Sequence, residues 1–424
     1  MADIFTTIGK FLVDLFRSWG VRGDWPHIIV AFLGAFVIAN FVLLILILNI
    51  WLERKIIGRM QDRIGPNRVG PWGLFQTIAD LGKLLTKEII VPTGADLIPF
   101  MLAPIVAVAS VILVWAVIPF AKSAIGTDLN IGALYFVAVS SLGIMSFLLA
   151  GWSSNNKYAL LGAFRAVAML VSYEVPMILM LMVPVMLTGT MQMGSIVEGQ
   201  AVWYLFSVPV AALIFYTALT AEIGRSPFDL LEAESEIVAG YNIEYSGFAF
   251  AIFYAAEWAH AFTVSALMVA LFLGGWRGPF AEQIPTLGIV YFMIKTFAVY
   301  FVSMWLRATL PRVRIDQTMA FCWKFLIPMS LILIVFIVVA DKIAAGLIPN
   351  YLAVQPLIVT QGGALTINWS DFSRPAVLLL VNVVVGAIAV WWITAMGRRE
   401  RAQVEARRRQ HAAIETTGVP QQAK

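Results

Sequence analysis

Nine apolar stretches decide what this chain can fold into. They run over approximately 27–51, 97–118, 131–151, 166–188, 201–220, 248–273, 286–306, 325–347 and 375–396. A helix needs roughly 20 apolar residues to cross the hydrocarbon core of a bilayer. Lipid offers no partner to an open backbone group, so each stretch must be helical. The ten-residue alternation of a membrane barrel is absent from these runs. Hydrophobic residues make up 60% of the chain and charged ones 13%, against about 25% charged in soluble domains. The chain therefore reads as an all-α polytopic membrane protein with about nine transmembrane helices.

Lysine and arginine set its orientation. Nine spans put the termini on opposite sides. The loops after spans 1, 3, 5 and 7, with the C-terminal tail, hold 21 of the 29 basic residues; the other side holds 7, and Lys295 lies inside a span. The positive-inside rule places the C-terminus in the cytoplasm and the N-terminus outside. The bundle occupies 27–396, with cytoplasmic loops 52–96, 152–165, 221–247 and 307–324. Residues 1–26 form an amphipathic surface helix, in which Ile4, Ile8, Phe11, Leu12 and Leu15 recur at helical spacing. A second amphipathic helix, on the cytoplasmic side, follows from Leu74, Ile78, Leu81 and Leu85, ending before Pro92. Residues 397–424 are a basic cytoplasmic tail suited to lipid headgroups. No internal repeat marks inverted transporter halves.

One cysteine and three histidines leave no set of ligands for an iron–sulfur cluster or a zinc site. No phosphate-binding glycine loop is present. Redox and nucleotide chemistry are thus expected to lie outside this chain, with no metal or cofactor of its own. No cleavable signal peptide is evident.

Six of the 25 acidic residues fall in the loop 221–247: Glu222, Asp229, Glu232, Glu234, Glu236 and Glu244. Ser226-Pro-Phe-Asp229 reads as a capping box with proline at the first helical position. A helix from about Pro227 to Ala239 would align Asp229, Glu232 and Glu236, with Glu234 turned away. Charges also lie inside the spans: Glu174, Glu257, His260 and Lys295, with Glu222 at the end of span 5. Insertion scales price such charges at about 2.5–3.5 kcal/mol each. They serve either as hydrogen-bonded struts between helices or as a proton route. Struts do not require carboxylates, because Ser, Thr and Asn serve at lower cost, and neighbouring carboxylates titrate as a coupled set. A basic constellation (Arg54, Lys55, Arg59, Arg63, Arg68, Arg307, Arg312 and Arg314) flanks spans 1 and 7. It either binds headgroups or aims guanidinium groups at partner carboxylates.

An ordered series of motifs resembles one family. It comprises Glu53-Arg-Lys, Gly65-Pro-Asn-Arg-Val-Gly70, Gly151-Trp-Ser-Ser-Asn-Asn-Lys, Ser172-Tyr-Glu-Val175, Arg225-Ser-Pro-Phe-Asp-Leu, Glu232-Ala-Glu-Ser-Glu-Ile-Val-Ala-Gly-Tyr241, Glu244-Tyr-Ser-Gly247 and Arg307-Ala-Thr-Leu-Pro-Arg. Over roughly residues 27–350 the chain is similar to the H-type membrane subunit of respiratory complex I, the proton-pumping NADH:quinone oxidoreductase. The resemblance implies a quinone chamber built from Glu53, Arg54, Arg63, Asp80, Arg225, Phe228, Asp229, Glu232, Arg307 and Arg312. It implies a proton route through Glu174, Glu222, Glu234, Glu236, Glu257 and Lys295. Quinone would be the substrate, with FMN and iron–sulfur clusters in partner subunits. The partners would be the quinone-site and iron–sulfur subunits of the hydrophilic arm and the small and antiporter-like membrane subunits, in a bacterial plasma membrane. Two positions depart from the pattern: Leu231 stands where proline is expected, which would loosen the bend of the loop, and Met169 where glutamine is common. A related subunit of a membrane-bound hydrogenase or ferredoxin-driven complex shares these features. An independent ion transporter would instead show inverted repeats.

Overall fold

The computed structural model describes residues 4–19, 23–231, 234–281, 284–347, 358–361, 364–367 and 373–417. Eight of the nine expected spans are helices long and apolar enough to cross a membrane. The fifth is shorter and broken.

Helix α1 (Ile4–Ser18) is the N-terminal amphipathic helix. Helix α2 (Trp25–Met60) carries Pro26 in its first turn, where a missing N–H costs nothing. Its 36 residues reach about 54 Å at 1.5 Å per residue, well beyond the hydrocarbon. Glu53 and Arg54 therefore stand on a helical extension, not on the loop expected from residue 51. That loop begins only after Met60 and folds back, so that a Cβ on Gly65 would lie 2.8 Å from the Arg54 carbonyl. Helix α3 (Gln76–Thr86) is the second amphipathic helix, and Ile78, Leu81 and Leu85 on it are exposed within this chain.

Helices α4 (Leu97–Val114), α5 (Gly132–Ser153) and α6 (Lys157–Thr188) follow as packed neighbours. Asn156 caps α6 by accepting from the Tyr158 N–H at 2.9 Å. After α7 (Met193–Glu198), the fifth span splits into α8 (Tyr204–Ser207) and α9 (Pro209–Ile223). Pro209 cannot continue a helix from α8 because its N–H is missing. At 15 residues, α9 is about 22 Å long and cannot cross the bilayer unaided.

Helix α11 (Gly247–Phe272) is the inner post of the bundle. It packs against α2, α4, α9 and α12 (Pro285–Thr309). Buried residues make up 83% of its apolar window, against 11% for α2, so α2 lies at the periphery. Helix α13 (Ile315–Phe321) continues through a widened turn at Cys322–Leu326 into α14 (Ile327–Leu347). Pro328 explains the widening, because it has no N–H to give to the carbonyl four residues back and its ring crowds that group. A short antiparallel pair, β1 (Ile358–Gln361) and β2 (Ala364–Ile367), sets Ile358 opposite Ile367. Helix α15 (Ser373–Thr417) runs without interruption from the last span into the basic tail.

Helix α15 is bonded into the bundle. Arg374 donates to Asp341 at 2.9 and 3.2 Å and to the Leu187 carbonyl at 2.7 Å. Asn382, fully buried, accepts from the Val210 N–H at 3.2 Å. That contact supplies an acceptor to the first turn of α9.

The helix expected from Pro227 to Ala239 is not formed. The Phe228 N–H is spent on Arg225 O and the Leu230 N–H on Phe228 O, both at 2.8 Å. The Pro227 carbonyl accepts from Val313 at 3.0 Å. The groups that would start the helical ladder are thus committed to turns and to the neighbouring loop. Among the described residues only α10 (Glu234–Ile237) is helical there, so Asp229 and Glu236 do not share the expected helical face. Glu232 lies outside the described residues, and Glu234 is placed only as the first residue of α10.

Candidate functional site: a buried carboxylate beside a small cavity

Glu53 is fully buried at the end of α2. Three donors meet its carboxylate. Arg225 Nη1 approaches Oε2 at 2.9 Å, the Tyr300 hydroxyl reaches the same oxygen at 3.0 Å, and Arg307 Nη1 bonds Oε1. Arg225 follows α9 immediately after Gly224, whose φ of 73° ends that helix in the left-handed conformation. Tyr300 and Arg307 sit seven residues apart on α12 and so share a face. The Trp258 ring lies 4.7 Å from the Arg225 guanidinium and 5.7 Å from that of Arg307. Burial works against the charge of Arg225, but Glu53, then Tyr300 and Glu257, outweigh it and raise its pKa.

Arg225 also faces the opposite way. Its Nε lies 3.6 Å from Glu257 Oε1, and Asp229, half-buried, lies within electrostatic reach of the same carboxylate. Glu257 lines a cavity of about 40 Å³ with His260, Glu222, Ser110, Ser140 and Ser146. That is room for a few water molecules. His260 Nε2 stands 4.0 Å from Glu222 Oε1. Among the described residues neither His260 Nε2 nor Glu222 Oε2 has a hydrogen-bond partner, and Glu174 acts on Glu222 electrostatically. The residues expected in the chamber and those expected on the proton route thus meet at Arg225.

Other expected residues lie around this core. Phe228 is buried against Tyr173 at 5.3 Å between ring centres. Arg54 pairs with Asp80, which also accepts from Gln76. Burial alone would raise the pKa of Asp80, but these hydrogen bonds prevail and lower it. Arg63 is exposed and bonded to Gln61, away from the core. Glu236 pairs with Arg165, and Arg312 lies 3.8 Å from it. Leu231, where proline is expected, is buried against two glycines. A Cβ on Gly224 would meet its side chain at 2.0 Å, and one on Gly240 would meet its carbonyl at 2.0 Å. Lys295 is not brought to these carboxylates; it sits at the far end of α11.

Arg165, Tyr300 and Trp258 escaped sequence reasoning. Tyr300 alone carried a signal, its seven-residue spacing from Arg307. The pairing of Asn156 with Glu244 at 2.6 Å, which ties the start of α6 to the acidic loop, has no sequence signature.

The fold and this site define a class: a polytopic helical membrane protein with a chain of buried ionisable groups leading from one end into the bundle. Comparison with known proteins narrows it. The family model described as NADH dehydrogenase matches residues 33–338, and the chain belongs to that family. A protein of Dehalococcoides mccartyi, named as the H subunit of NADH-quinone oxidoreductase, is 50% identical over 307 residues, 72% of this chain and 85% of the relative. Proteins of the same name from Brevibacillus brevis and Geobacillus kaustophilus are each 49% identical. These alignments cover 70% and 73% of this chain, and 90% and 94% of the relatives, respectively.

Proposed function

We propose that this chain is the membrane subunit of an NADH-quinone oxidoreductase that walls the quinone chamber and couples quinone reduction to proton movement. One observation carries the reading: Arg225 bridges a fully buried Glu53 and a Glu257 that lines a small, largely apolar cavity shared with Glu222 and His260. The name of the curated relatives supports the same reaction. Electrons would arrive from FMN and iron–sulfur clusters held by partner subunits, with the C-terminus and the acidic loop facing the bacterial cytoplasm.

Two electrons delivered to a quinone leave negative charge until two protons arrive. In a low-dielectric setting that charge acts on groups several ångströms away. Arg225 and Arg307 are its natural counter-charges. As either guanidinium turns toward the reduced headgroup, Glu53 and Glu257 lose part of their compensation. The proton balance of Glu257, His260 and Glu222 then shifts through the water-sized cavity. Asp229 and Glu236 belong to the wall of the chamber, with Glu174 beyond Glu222. Crosslinking by a photoreactive quinone analogue in the assembled complex tests the reading. Labelled peptides should map to 53–88 and 222–247; labelling confined to other segments refutes the chamber.

A further inference from the structure

Lys295 lies in α12, yet all three of its ammonium donors are spent on backbone carbonyls beyond the C-terminus of α11. They reach Leu273 O at 2.9 Å, Gly275 O at 3.0 Å and Arg277 O at 2.8 Å. The Trp203 ring flanks the ammonium, 4.7 Å from Nζ to its centre. The carbonyls converge because the chain turns through Gly274 and Gly275 at φ 70° and 47°, conformations that glycine adopts without a steric cost. Gln200 completes the end of α11, donating to Ala270 O and Leu271 O and accepting from the Gly274 N–H. The other charged side chain at this turn, Arg277, donates to Glu198 O and Gln200 O.

From Glu257 to Leu273 is 16 residues of α11, or about 24 Å at 1.5 Å per residue. A proton cannot pass that gap in one hydrogen-bonded step. All three N–H groups of Lys295 end on backbone carbonyls, which are very weak proton acceptors, and none points to a titratable side chain. The end of a helix carries unpaired carbonyls and a partial negative charge, which a fixed cation offsets.

We infer that the end of α11 is a monovalent-cation cage of three carbonyls and an indole face, which the chain fills with its own Lys295 ammonium. Lys295 is a positioning residue: it fixes the outer end of the helix that carries Glu257 and His260, and it carries no proton. This inference does not rest on the quinone-chamber reading, and a failure of the crosslinking experiment would leave it untouched.

The test uses Lys295→Ala in the assembled, membrane-bound enzyme, with quinone reductase and proton pumping measured in choline medium of constant ionic strength. Choline is too large for the vacated space. Activity should fall at least tenfold in choline. Potassium should restore it several-fold, although it cannot carry a proton, and the pH profile should match the parent enzyme. Parent-level activity in choline overturns the inference, as does inactivity that potassium does not relieve. Restoration by methylammonium alone, with a shifted pH profile, would make Lys295 a proton carrier. If Lys295→Ala does not assemble, Lys295→Arg decides: a cation that does not titrate should keep the parent ratio of protons pumped per electron. Loss of pumping with reductase retained refutes the cage.

Discussion

Replacing Glu53 with glutamine is the most direct probe of the buried core. The substitution preserves volume and one acceptor but removes the carboxylate that both Arg225 and Arg307 contact. Breaking a buried ion pair by deleting one partner costs about 3–5 kcal/mol, because the remaining charge is left uncompensated. Here two cations remain beside the Trp258 ring. Arg225 recovers part of the loss by moving onto Glu257, already 3.6 Å away. Where that penalty falls on the reacting state, about 3 kcal/mol, near the lower bound, corresponds to roughly a hundredfold loss at about 1.4 kcal/mol per decade. The assay is quinone-dependent NADH oxidation in membranes, set against NADH oxidation by a hydrophilic artificial acceptor, with assembly checked on native gels. The first rate should fall roughly a hundredfold while the second persists. The double variant Glu53→Gln/Arg307→Met removes the surplus cation and should recover about 0.5–3 kcal/mol of stability, the range of coupling between residues in contact, read as the level of assembled complex. Quinone reductase within threefold of the parent, in normally assembled Glu53→Gln enzyme, refutes the reasoning.

Three further outcomes follow from the geometry. Glu236→Gln removes the ion pairs with Arg165 and Arg312, so hydrogen exchange in 234–240 should rise at least tenfold while that of α11 is unchanged. Gly240→Ala places a Cβ 2.0 Å from the Leu231 carbonyl at a φ of +60°; the level of assembled complex, read on native gels, should fall to a small fraction of the parent. The lowered pKa of Asp80 means that its pairing with Arg54 contributes in full above the unfolded carboxylate value of about 3.9. That contribution is lost only as pH falls through the lower folded value. Exchange protection of 76–86, corrected for intrinsic rates, should therefore be flat from pH 8 to pH 5 and lower throughout in Asp80→Asn.

The spans were legible because lipid leaves the backbone one solution, and apolar length reports it directly. The fifth span shows the limit of that signal. Its composition over 201–220 does not reveal the break before Pro209, since proline is tolerated in membrane helices when neighbours satisfy the freed groups. The acidic loop misled for a local reason: a capping pattern at Ser226 competes with hydrogen bonds to Leu310 and Val313, nearly ninety residues away, which no local pattern encodes. Candidate residues were legible as charges in or beside spans, but their partners were not. Glu53 and Arg307 sit 254 positions apart. The distinction between Glu257, beside a cavity shared with Glu222 and His260, and Lys295, in a carbonyl cage, appears only once helices are placed side by side.

The hydrogen bond from Val210 to Asn382 spans 172 positions. During synthesis at about 5–20 residues per second, the fifth span therefore emerges roughly ten to thirty seconds before the residue that completes its first turn. In that interval its two pieces must wait at the insertion machinery, or borrow water and lipid carbonyls, before the final helix arrives. The segment bearing Glu222 thus gains this acceptor for its first turn only once the last helix is in place.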